Sequence, residues 1–126
     1  MATTTLTKAE EKIMKILWAI EKGFIKDILE QYPDPKPPYN SVSTIVRVLV
    51  QKDIVGYKAY GNSHRYFPKI SKEAYRKGQL SRLVSDYYNN SFKQVVNFFS
   101  ESKQLNEQEL DEAIRLLESL KKQKDE

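Results

Sequence analysis

Asn40, Ser41, Ser43, Thr44 and Arg47 form a run of short hydrogen-bonding side chains closed by one arginine. These residue types read nucleic acid. Arginine pairs bidentately with guanine, and serine and threonine hydroxyls reach base edges or phosphate oxygens. Val42, Ile45, Val46 and Leu49 interleave with them at i, i+3, i+4 and i+7, which predicts a helix with an apolar stripe on the far side. The polar face, which also takes in Gln51, carries no acidic residue before Asp53. A helix exposed only for solubility usually mixes Glu with Lys. Lys58, His64 and Arg65 surround Gly61-Asn62-Ser63 and suit contacts to phosphate, with plain solvent exposure as the competing reading.

Other chemistries are excluded by composition. The chain has no cysteine, so disulfides, thiolate metal sites and cysteine nucleophiles are ruled out. A single histidine removes any site needing two imidazoles, and His64 reads as a wing-tip residue rather than a ligand or base. Gly23, Gly56, Gly61 and Gly78 make no phosphate loop, and no nucleophile–base–acid set can be assembled. The expectation is a protein that is not an enzyme, with no catalytic residue, no metal site and no cofactor.

The elements that must position these residues follow from periodicity. Thr7-Lys8-Ala9-Glu10 fits a capping box ahead of Ile13, Met14, Leu17 and Trp18, a helix running to about Ile20 that Gly23 is suited to end. Ile25, Ile28, Leu29 and Tyr32 mark a shorter helix stopped by Pro33. After the proline-rich stretch Pro33–Pro38, Asn40 or Ser41 can cap the third helix. Beyond Asp53 the period falls to 2, giving strands over Ile54–Tyr60 and His64–Ile70 joined by a three-residue turn. Three helices followed by a hairpin is the winged helix-turn-helix order. The third helix would enter the major groove of double-stranded DNA, with the hairpin against its backbone.

From Ser71 the chain reads as helical again, broken at Asn89-Asn90-Ser91 and restarted by Asn106-Glu107-Gln108-Glu109. Helices this short do not easily bury Leu83, Tyr87, Tyr88, Phe92, Val95, Val96, Phe99, Leu110, Ile114 and Leu117 on their own. Either the first domain or a second copy must cover them, and a homodimer is the preferred reading. The fold class is therefore mainly α with a small β-hairpin wing. A winged-helix DNA-binding domain occupies residues 1–70 and a helical dimerisation region residues 71–126.

Size and charge agree with this division. The chain has 126 residues, near the common size of one domain, with 40% hydrophobic and 30% charged residues. Its formal net charge of +4 is unevenly spread. Lys36, Arg47, Lys52, Lys58, Arg65 and Lys69 face only Asp53 between Lys36 and Ile70, while the last segment from Asn106 is net acidic. The positive charge thus sits where a polyanion would dock. No apolar run is long enough to span a bilayer, and Met1-Ala2-Thr3-Thr4-Thr5 lacks a targeting pattern. A cytoplasmic protein without membrane insertion is expected.

The order of elements and several strings resemble the penicillinase and methicillin-resistance repressors (BlaI/MecI). Leu6-Thr7-Lys8-Ala9-Glu10-Glu11-Lys12-Ile13-Met14-Lys15-Ile16-Leu17-Trp18 is similar to the family's start, and Tyr39-Asn40-Ser41-Val42-Ser43-Thr44-Ile45 to the beginning of its recognition helix. Leu49 to Val55 looks like the exit from that helix into the wing, Arg65-Tyr66-Phe67-Pro68 like the second wing strand, and Leu105 to Leu110 like the start of the last helix. The resemblance implies a homodimeric repressor on an inverted-repeat operator. It also implies a membrane-bound sensor protease that responds to β-lactam, with cleavage in the dimerisation region. Val95-Val96-Asn97-Phe98 is similar to the segment holding the cut bond, which makes Asn97 and Phe98 the cleavage candidates. The competing reading is that Phe98 and Phe99 are only dimer core. A winged-helix adaptor working through protein contacts is the alternative function. Two departures stand out. Asp53 occupies a helix-ending position where the family usually has glycine, and Val48 follows Arg47 where it often has a second basic residue. The absence of C-terminal cysteines removes the copper-sensing route of one branch.

Overall fold

A computed structural model describes residues 5–102 and 104–124. Residues 1–4, most of the segment read above for a targeting pattern, lie outside the described residues. The first helix, α1 (Lys8–Ile20), opens with the reciprocal cap: the Glu10 N–H donates to Thr7 Oγ1 at 3.1 Å and the Thr7 N–H to Glu10 Oε1 at 2.8 Å. Its apolar stripe buries Ile13, Met14, Ile16 and Leu17. The helix ends on Glu21 at φ 72°, not on Gly23. Gly23 has another use, forming an isolated bridge with Tyr66 through N–H···O bonds of 2.9 and 2.8 Å. A Cβ there would lie 2.9 Å from Ile20 Cδ1 and 3.0 Å from Asp27 Cβ, so a larger residue would require those side chains to shift.

Helix α2 (Ile25–Glu30) starts with Asp27 accepting the Phe24 N–H at 2.8 Å and buries Ile25 and Ile28. The Lys36 ammonium donates to the carbonyls of Glu30 and Tyr32, which ties the proline-rich connector to the end of α2. Helix α3 (Tyr39–Gln51) begins two to three residues earlier than the sequence suggested. Pro38 is the cap residue, and its extended backbone presents a carbonyl that accepts from Ser41 and Val42. Asn40 and Ser41 therefore stand inside the first turn and cap nothing. Val42, Val46 and Leu49 face inward.

Asp53, at the helix-ending position, takes the left-handed φ of 63° that glycine adopts more freely, and its carboxylate pairs with the Lys69 ammonium. Strands β1 (Val55–Tyr60) and β2 (Ser63–Pro68) are antiparallel, with Tyr57 opposite Tyr66, Lys58 opposite Arg65 and Tyr60 opposite Ser63. Ser63 is thus already in the ladder, and the turn is the two-residue Gly61-Asn62 rather than three residues. Gly61 at φ 61° supplies the positive φ that such short turns require. Val55 and Tyr66 from the hairpin join the apolar faces of α1, α2 and α3 in one core.

Helix α4 (Lys72–Tyr88) is capped by Ser71, whose Oγ accepts the Ala74 N–H at 3.0 Å. Its first turns stay with the winged part. The Trp18 Nε1–H donates to the Ile70 carbonyl at 2.9 Å, the Tyr75 ring lies 5.5 Å from Trp18, and the Tyr75 hydroxyl donates to Glu11 Oε2 at 2.8 Å. The first compact unit accordingly runs past residue 70 and ends at Ser81, and the second begins at Arg82. In the second unit, Asn89 and Asn90 both have positive φ and separate α4 from α5 (Phe92–Ser102). Ser91 caps α5 through the Gln94 N–H. Asn106 and Glu109 bond reciprocally at the start of α6 (Glu107–Lys124).

Candidate nucleic-acid interface

Three buried residues, Val42, Val46 and Leu49, fix which way α3 faces. At 100° per residue their common direction leaves Asn40, Thr44, Arg47 and Gln51 on the outward line. All four are exposed. Ser43 is half-buried and turns towards the hairpin, while Ser41 lies on the opposite flank beside Lys8 and Lys12 of α1. The structure thus brings Asn40, Thr44 and Arg47 together and sets the two serines on either side. The Thr44 hydroxyl donates to the Asn40 carbonyl at 2.8 Å, which leaves its oxygen lone pairs outward. Val48 is 37% exposed next to Arg47 and gives this face an apolar edge.

The helix is held from behind by an ion pair that sequence reasoning missed. Glu10 is only 4% exposed, and both its oxygens accept from the Lys52 ammonium, at 2.8 and 3.0 Å. Burial pulls the Glu10 carboxyl up, but Lys52 and the Thr7 N–H outweigh it and hold the group below its ordinary value. The C-terminal end of α3 is therefore fastened to the first turn of α1. Glu10 reads from sequence as a capping residue alone, and nothing local signals a partner so far along the chain.

Alternation along the hairpin divides Lys58 and Arg65 from His64. Lys58 and Arg65 are directly opposed on the outer face, and both stand over the Tyr60 ring, at 5.4 and 4.9 Å from its centroid. His64 is on the inner face, stacked on Tyr57 at 4.2 Å with the rings 10° from parallel. The set expected to act together around the wing turn is thus two groups on two faces. The inner group borders a cleft of about 640 Å³ walled by the start of α2, by Tyr39 and Ser43 of α3, and by Tyr60 to Tyr66 of the hairpin. Tyr66 closes its floor. Burial, then the Tyr39 hydroxyl, push the Tyr66 phenol up against the pull of Arg47, so it remains a neutral donor.

Two cleft residues escaped sequence reasoning. Tyr39 is 53% exposed and sits one turn before Ser43. Its string resembles the start of a recognition helix, but nothing in the sequence marks its side chain as facing the wing. Lys26 has no sequence signal at all, since the packing of α2 is what brings it beside the wing.

Residues 6–119 match the sequence model of the penicillinase repressor family. The chain belongs to that family. As a penicillinase repressor it is a winged-helix transcriptional regulator, and the DNA-binding class read from its polar helix is the class of its family. A comparison with curated proteins finds no match. Among solved structures, a zinc-responsive MarR family member, ZitR of Lactococcus lactis, is similar with a TM-score of 0.45 and 15% identity, over 97% of this chain and 78% of that one. Among the described residues of this repressor, no group of three or more His, Asp or Glu side chains could hold a metal ion. No helix among them is long and apolar enough to cross a membrane.

The remaining candidates lie on the last helices. Asn97 and Phe98 are both exposed in the middle of α5, with the Phe98 and Phe99 rings 5.1 Å apart. Leu83, Tyr87, Phe92, Val96, Leu110, Ile114 and Leu117 are exposed, while Tyr88, Val95 and Phe99 are half-buried. No described residue of α4, α5 or α6 is buried.

Proposed function

We propose that this repressor binds an inverted-repeat operator in double-stranded DNA as a homodimer, each chain placing α3 in the major groove. The observation that carries this reading is the outward line of Asn40, Thr44 and Arg47 on a helix with no acidic residue. Arg47 pairs with guanine, while Asn40, Ser41, Ser43 and Thr44 take neighbouring bases or phosphates. Lys58 and Arg65 on the outer wing face and His64 on the inner one meet the backbone. Residues 1–70 read DNA and residues 71–126 dimerise. Leu83, Tyr87, Tyr88, Phe92, Val95, Val96, Phe99, Leu110, Ile114 and Leu117 supply the apolar contact, since no described residue of their helices is fully buried within one chain. The repressor acts in the cytoplasm.

Release follows from the same division. Cutting the Asn97–Phe98 bond removes α6 and part of α5 from the dimer contact, and each half then binds with only its single-module affinity. A membrane-bound sensor protease responding to β-lactam is the proposed agent, supported by membership of the family. Because the bond lies mid-helix, α5 must open locally before a protease can take it.

Footprinting on the DNA upstream of the protein's own gene tests the reading. Two protected half-sites one helical turn or a small multiple apart are expected. Arg47→Ala should weaken binding to the protected duplex by about 1–3 kcal/mol and affect mixed-sequence DNA less. Equal losses on both duplexes, or none, would remove α3 from the role of reader. Co-expression with the sensor protease and inducer should yield two fragments, and an intact chain under full derepression would sink the cleavage step.

A further inference from the structure

We infer that the cleft between α2, α3 and the inner wing face is a seat for one DNA backbone phosphate, held by Lys26 and Tyr39. This rests on the proposed docking of α3 in the major groove and names the contact that sets its depth. An α-helix with its side chains is about 10–12 Å across and the groove about 12 Å wide, so the flanks of a docked helix meet the phosphate ridges. On the hairpin side, the flank of α3 is this cleft.

The lining suits an anion. Lys26, exposed at the start of α2, brings the positive charge, and among the described residues no carboxylate pairs with it. Tyr39 and Ser43 offer hydroxyls from α3, and Asn62, Ser63 and His64 offer donors from the wing. The lining includes no acidic side chain. His64 is oriented by its stack on Tyr57. Three separate elements thus direct donors into one open cleft of about 640 Å³, and a phosphate bound there would bridge α2, α3 and the wing. The seat carries no sequence information. It fixes how far α3 enters the groove, so that Arg47 reaches the base edges.

The test is the salt dependence of binding by the full chain, on the footprinted duplex and on a mixed-sequence duplex. Lys26→Ala should lower affinity by the same factor on both and flatten the log–log salt slope by about 0.9 for each chain bound. Lys26→Arg should restore the slope, and Tyr39→Phe should weaken binding without changing it. An unchanged slope for Lys26→Ala overturns the seat. If Arg47→Ala still loses the footprinted duplex selectively in that case, the operator reading stands without it. If the unmodified protein binds both duplexes equally, the operator reading itself has failed.

Discussion

Replacing Lys52 by Met tests how the recognition helix is held in place. The change removes the 2.8 and 3.0 Å bonds to Glu10 and leaves a carboxylate whose side chain is 5% exposed without its counter-ion. Breaking a fully buried pair costs about 3–5 kcal/mol. Here the Lys52 side chain is 42% exposed, so water already screens part of the attraction, and Glu10 keeps the Thr7 N–H. A loss of about 2 kcal/mol is expected, which for a unit of this size lowers Tm by about 8–16 °C. The pH dependence carries a definite sign. The folded Glu10 carboxyl titrates below its unfolded value near 4.5, so its stabilisation is complete above that value and fades as pH falls through the folded one. Without Lys52 the carboxyl rises, because its bond and charge no longer oppose burial, so acid protonates it more readily and relieves part of the cost. Urea unfolding followed by Trp18 fluorescence should show a gap between the two proteins at about pH 7 that narrows at about pH 4. Adding Glu10→Gln to Lys52→Met should recover part of the loss. A Lys52→Met protein within about 0.5 kcal/mol of the parent at neutral pH, or a gap that widens in acid, would show that the pair does not hold α3.

Three further outcomes are expected. Burial, then the bond to Glu11, push the Tyr75 phenol up to about 12, so Tyr75→Phe should cost about 0.5–1.5 kcal/mol in urea unfolding, with Trp18 emission little changed. Tyr75→Ala should cost more and shift that emission, because the ring against Trp18 is lost. At Asp53, Ala should destabilise by about 1 kcal/mol through its left-handed φ, while Gly should stay within about 0.5 kcal/mol because relief of that φ offsets the lost, solvent-screened pair with Lys69. Ile114→Glu should shift the dimer–monomer balance towards monomer in sedimentation without changing the Tm of the first unit; an unaltered dimer would exclude α6 from the interface.

Local chemistry was legible in the sequence wherever one residue settles the backbone. The caps Thr7 with Glu10 and Ser71 read directly, because a cap depends on neighbours in the chain, while the helix-ending place of Asp53 came from the family resemblance. The start of α3 did not, since the Pro38 carbonyl performs a task that Asn40 or Ser41 seemed needed for. Gly23 misled for a related reason: its backbone is bridged to Tyr66, a residue far along the chain. The candidate site divides in the same way. The outward face of α3 follows from periodicity alone. The separation of His64 from Arg65 follows from strand alternation, but the placing of Lys58 opposite Arg65 depends on strand register, which the two-residue turn sets. Lys26 and the Glu10–Lys52 pair depend wholly on tertiary packing.

The bridge between Gly23 and Tyr66 has a consequence for motion. The other hydrogen bonds that hold the hairpin ladder are local and survive if the hairpin swings as a body. The two bonds of the bridge cannot, because they join it to the segment between α1 and α2. The amide protons of Gly23 and Tyr66 therefore exchange with solvent only when the wing lifts away or the whole unit unfolds. Against a ladder amide that opens only on global unfolding, they form a built-in gauge of how often the wing leaves its place.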